Sequence, residues 1–228
     1  MRHNEMMYSG SKKNAVRLLA VVGMLLAAAS AEAQQFSADL IAQNGETMTP
    51  VGSLRVSEGK ARIETAELSD GFFLVDAAKP LAYFIRPRAR VFMDAKQSSQ
   101  LTQMFVPVDP DDPCRQWQAM ASLAAPIDPK TWRCERDGEG TATGRKMDVY
   151  RITGAAGFGF VGWVDRERKF PLQIKTVDGT VIIAVHIRDE PQPTQSFEIP
   201  SGVRKFDPEA LIRRIQQSDV WVAPPASE

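Results

Sequence analysis

Residues 51–94 read VGSLRVSEGKARIETAELSDGFFLVDAAKPLAYFIRPRARVFMD. Short stretches of β-branched and aromatic residues each stop at a turn-forming group: Glu58-Gly59, Ser69-Asp70-Gly71, Lys79-Pro80 and Pro87-Arg88. Runs of this size, recurring at about 8–12 residues, are the mark of an antiparallel sheet or barrel. The links leave no room for a crossover, so neighbouring strands pair as hairpins. The spacing predicts strands over residues 51–57, 60–64, 71–76, 81–86 and 90–94.

Working outward, the same pattern places a first strand at 36–43, closed by Asn44-Gly45. A second block follows at 131–135, 145–153, 157–165, 171–176 and 181–188, with Val177-Asp178-Gly179-Thr180 as a strong hairpin turn. Between the blocks the periodicity changes. Leu101, Met104 and Phe105 stand at i, i+3 and i+4 in a short amphipathic helix over 98–106. A rigid loop, Pro107 to Asp112, leads to Asp112-Pro113, an N-cap followed by a first helical residue. Trp117, Met120, Ala121 and Ala124 then repeat at helical spacing. A last helix opens at Asp207-Pro208, with Leu211, Ile212 and Ile215 on one stripe and Arg213-Arg214 near its C-terminal end. The expected fold is mainly β: an incomplete antiparallel β-barrel of about eleven strands, with helices covering the concave face. It forms one domain over 34–206, with a helical lid insert at about 97–125 and a C-terminal helix and tail at 207–228.

The N-terminus is a separate matter. Lys12, Lys13 and Arg17 precede an apolar run from Leu18 to Ala29, and Ala31-Glu32-Ala33 is an A-x-A cleavage site. This reads as a secretory signal peptide over residues 1–33, too short in its apolar run to span a bilayer. It places the mature chain in the periplasm with no stable membrane span. The segment holds four of the 28 basic and two of the 28 acidic groups, which leaves a mature net charge of −2. A chain with no basic excess is not built as a nucleic-acid binder. In an oxidising compartment the two cysteines, Cys114 and Cys134, read as a disulfide. Its closed loop contributes roughly 3 kcal/mol.

Catalytic signatures are missing from the sequence. It holds no G-x-S-x-G elbow, H-E-x-x-H or P-loop. His186, the only histidine of the mature chain, stands mid-strand and reads as a residue of a polar face. Glu64 and Glu67 read as an ordinary strand end, and the glycine-rich 154–159 reads as a hairpin turn. Asp109, Asp111 and Asp112 lack the glycine and distal glutamate of a calcium loop. Neither a metal nor another cofactor is expected, and the protein is not expected to be an enzyme. Arg86-Pro87-Arg88-Ala89-Arg90 reads either as a solvated turn or as a basic group that meets anionic lipid headgroups.

The order of parts resembles the LolA/LolB-like superfamily of bacterial periplasmic proteins, and within it an uncharacterised outer-membrane lipoprotein-sorting-like family. The resemblance covers roughly residues 36–206. It rests on Phe36-Ser37-Ala38-Asp39-Leu40, on the hairpin Gly52–Val56 with Lys60–Glu64, and on Tyr83-Phe84-Ile85-Arg86-Pro87 before Val91-Phe92-Met93. It continues in Gly162-Trp163-Val164-Asp165 with Pro171-Leu172-Gln173-Ile174, and in Phe197–Val203. The superfamily includes lipoprotein carriers and the sensor protein RseB. The resemblance implies an open barrel whose cavity holds acyl chains beneath two lid helices.

The function expected is non-catalytic binding of a lipid, acyl chain or lipoprotein anchor in an apolar concavity. The alternative is an envelope sensor or protein-interaction module on the same fold, with an envelope protein as partner. Strand alternation offers Tyr83 and Ile85, Phe158 and Phe160, and either Ile182 with Ala184 or Ile183 with Val185; the candidate set takes Ile183 and Val185. Leu101, Met104, Phe105, Trp117 and Met120 are the candidate lid residues.

Overall fold

The computed structural model describes residues 34–95, 99–124, 126–128 and 130–217. The signal-peptide reading falls on residues 1–33 and lies outside them. Among these residues twelve strands form one open sheet in the order β12-β6-β5-β4-β3-β2-β1-β11-β10-β9-β8-β7. The first meander is β1 (Gln35–Asn44), β2 (Thr47–Ser57), β3 (Lys60–Thr65), β4 (Phe72–Asp76), β5 (Leu81–Arg86) and β6 (Val91–Asp94). The second is β7 (Arg133–Ala142), β8 (Arg145–Thr153), β9 (Gly159–Asp165), β10 (Phe170–Thr176) and β11 (Val181–Arg188). Antiparallel pairing of β1 with β11 joins the meanders.

Among the described residues three α-helices accompany the sheet: α1 (Leu101–Met104), α2 (Pro113–Ala121) and α3 (Pro208–Gln216). Asp112 caps α2 by accepting from the Arg115 N–H, and Asp207 caps α3 by accepting from Ala210. Four expectations needed adjustment. β2 begins at Thr47 rather than at residue 51. α1 is a single turn, because Phe105 leaves helical geometry and Val106 precedes Pro107, which disfavours helix. β7 runs to Ala142 rather than ending at residue 135. A twelfth strand, β12 (Arg204–Lys205), pairs in parallel with β6.

The main core gathers inward-facing residues from both meanders under the insert. Phe36, Leu40, Leu54, Ile63 and Phe73 meet Phe160, Phe170, Leu172 and Ile174, with Met104, Phe105, Trp117 and Met120 supplied from above. A smaller cluster of Phe72, Leu74 and Ile85 lies apart from it, packed by Tyr83, Phe92, Ile199 and Val203. Gly52 lets β2 and β3 approach closely, since a methyl there would overlap the Glu64 carbonyl.

Ion pairs fix the loop ahead of α2. The Arg166 guanidinium donates to the Pro110 carbonyl at 3.1 Å, to Asp111 at 2.6 Å and to buried Asp148 at 2.9 Å. Arg136 reaches the other oxygen of Asp148 at 2.6 Å. Burial pushes the Asp148 carboxyl up, but hydrogen bonds from Arg136 and Arg166 outweigh burial and hold it below the ordinary aspartate value. A depressed folded-state pKa stabilises above the unfolded value and is lost as pH falls through the folded one. Asp148→Asn should therefore lower stability by about 1–3 kcal/mol at neutral pH, with the difference shrinking on acidification below about pH 4. Urea titrations of both proteins at neutral and acid pH check this; a constant difference across pH would refute the assignment.

Candidate ligand cleft

The insert fills most of the sheet's covered face but leaves one end open. There α1, the start of β2, the turn after β3 and the β10–β11 hairpin enclose a cleft of about 680 Å³. Its apolar lining comes from Pro50 and Val51 on β2, Leu68 in the 3₁₀ turn Ala66–Leu68, Phe73 on β4, Leu101 and Met104 on α1, and Ile182 on β11. Thr49, Thr65, Glu67, Ser99, Gln100, Thr176, Asp178 and Thr180 complete the wall. Leu68 is itself an exposed large apolar residue. Met48 and Val177, each next in sequence to lining residues, are also exposed.

Two polar features distinguish this wall. The Thr65 hydroxyl oxygen is buried without a hydrogen-bond partner. A buried hydroxyl left unpaired carries a desolvation cost that a ligand donor or acceptor can relieve. Asp178 is held by the Thr176 hydroxyl and by the Thr180 N–H at 3.2 Å. The Thr176 hydrogen bond, with the Thr180 backbone, lowers its pKa and keeps it a carboxylate. Glu67 is the other ionisable group in the described lining, so both charges there are acidic.

The structure brings Leu101 and Met104 of the candidate set to the cleft. Phe105, Trp117 and Met120 are buried in the main core instead. Phe160 lies beneath Trp117, with ring centroids 5.3 Å apart, and Phe158 stacks on Trp132. Tyr83 and Ile85 belong to the smaller cluster. Ile183 and Val185 alternate with Ile182 and core residue Ala184, and so face away from the cleft. Sequence alternation contained a signal for Ile182 and Phe73; nothing local marked Thr65 or Leu68.

Several other polar candidates have structural partners. The predicted disulfide is formed, with Cα atoms 5.7 Å apart, and ties the first turn of α2 to β7. Asp109 accepts from the Asp111 N–H and faces Arg115, while Asp112 caps α2. His186 is exposed at a bulge in the β1–β11 pairing, with left-handed backbone and Nδ1 at 2.9 Å from Asp39. Ser37 on the same strand donates to Glu190 at 2.7 Å.

No protein-family model matches this sequence, and no curated protein matches it. Among solved structures it is similar to PNGF-II in a C2 crystal, at 6% identity and TM-score 0.49, over 80% of this chain and 33% of that one. The chain thus spans about a third of that protein's length. It is similar to the MucA/MucB complex of Pseudomonas aeruginosa, at 10% identity and TM-score 0.37, over 74% of this chain and 56% of that one. A LolA superfamily protein from Nitrosomonas europaea is similar at 11% identity and TM-score 0.32, over 72% of this chain and 89% of that one. Among the described residues, no helix is long and apolar enough to cross a membrane.

Proposed function

We propose that this protein is a non-catalytic, periplasmic binder of a lipid acyl chain or lipoprotein anchor, held in the cleft beside α1. The observation that carries the reading is an open space of about 680 Å³ with a mainly apolar floor. Ligand sites run from about 300 to 1,000 Å³, and apolar lining alone can hold a chain at about 0.8 kcal/mol per buried methylene. The signal-peptide pattern of residues 1–33 supports export. The acidic groups Glu67 and Asp178 favour a head that is uncharged or cationic over a carboxylate.

Native mass spectrometry of protein purified from periplasm should show a co-purifying lipid. Acyl-amine or acyl-glycerol probes of increasing length should bind about fourfold tighter per methylene until the cleft is full. Leu101→Glu sets a charge in the apolar wall and should weaken the best probe at least tenfold, or about 1.4 kcal/mol. A protein consistently free of lipid, with chain-length-independent probe binding that Leu101→Glu leaves unchanged, would overturn the reading.

A further inference from the structure

We propose that α3, with β12 and the β5–β6 turn, is a docking surface for an anionic phospholipid bilayer. The helix has no buried residue. Leu211, Ile212 and Ile215 are 43%, 54% and 46% exposed, and Phe206 just before the helix is 38% exposed. Nine residues are too few to sustain a helix in water without a covered face. An exposed amphipathic helix with a polar face rich in arginine and lysine is the form that lies in a membrane interface.

Charge decides what covers it. Residues 204–214 hold four basic side chains, of which Lys205 pairs with Asp94 and Arg213 with Asp207 and Glu209, while Arg204 and Arg214 carry the excess. The backbone joins this segment to a second basic group: Arg204 N–H donates to the Arg90 carbonyl at 3.1 Å, and Phe206 N–H to Phe92 at 2.7 Å. Arg88 and Arg90 are exposed on that turn, and Arg86, the last residue of β5, is exposed and paired with Asp70. Arg88, Arg90, Arg204 and Arg214 have no acidic partner among the described residues. Between β6 and α3 lies a depression whose apolar lining is Val91, Phe206, Ala210 and Leu211, with Arg204 and Arg214 also in its wall. Pairing this surface with a second copy would set arginine against arginine. An anionic bilayer meets both the cations and the apolar stripe.

The full mature chain should co-sediment with vesicles containing phosphatidylglycerol, and not with phosphatidylcholine vesicles, and raised salt should weaken the association. Ile212→Glu, or Arg88→Glu with Arg90→Glu, should each weaken it about tenfold while circular dichroism and acyl-probe binding stay unchanged. The cleft and this surface share no lining residue, so either proposal can fail alone. Equal binding to both vesicle types, unchanged binding by these variants, or a vesicle-free dimer that buries α3 would overturn the docking proposal. So would vesicle binding that depends wholly on residues 218–228.

Discussion

Trp117→Ala should lower the unfolding free energy by about 3–5 kcal/mol, the range for removing a buried aromatic residue. Trp117 is buried where the insert meets the second meander. Its ring stands edge-on to Tyr150 and Phe160, with centroids 6.0 and 5.3 Å away. Gly162 on β9 makes room beneath it, since a methyl there would lie 3.0 Å from the ring. Its Nε1–H donates to the carbonyl of Met104, the last residue of α1, at 3.1 Å. One side chain thus packs α2 on the sheet and holds α1 in place. Truncation leaves a cavity and a buried carbonyl that has lost this donor. Trp117→Phe should recover most of the packing but not the hydrogen bond, with a loss of about 1–2 kcal/mol. Urea titration measures both variants. A Trp117→Ala loss below about 1 kcal/mol would show that α2 contributes little to the core.

Removing the disulfide should cost about 3 kcal/mol. Cys114 and Cys134 close a loop across 20 positions, linking α2 to the first strand of the second meander. The double variant Cys114→Ala, Cys134→Ala should unfold at correspondingly lower urea, and reductant should shift the parent protein by a similar amount. Because α2 buries Trp117 and Met120 by itself, the reduced protein should still fold and retain acyl-probe binding. Loss of probe binding at full folding would mean that the bridge shapes the cleft as well as limiting the unfolded chain.

Most strands were legible because alternation and turn chemistry agreed at each position. β8 and β11 match their expected bounds, and β5 between Lys79-Pro80 and Pro87-Arg88 does too. Past residue 135 the strand pattern of β7 fades, because Arg136, Asp137, Glu139 and neighbouring glycines give it no apolar face; its pairing with β8, not burial, makes it a strand. β12 has two residues, too few for any period. The cleft was harder to read. Sequence named the apolar residues of the insert but not which ones the core consumes. Trp117 and Phe105 go wholly to the core, Met104 is buried in the core and also lines the cleft, and Leu101 sits where the wall stops. That division depends on how far the sheet extends beneath α1, which no local pattern encodes.

An open sheet leaves two borders on which further chains could stack. On one, β12 covers part of β6. On the other, β7 is the last strand among the described residues, and its side chains include Arg133, Glu135, Arg136, Asp137 and Glu139. Charged side chains on a sheet border disfavour the stacking of a further copy. The same charged hem that hides β7 from sequence reading is a device by which open sheets discourage edge-to-edge growth.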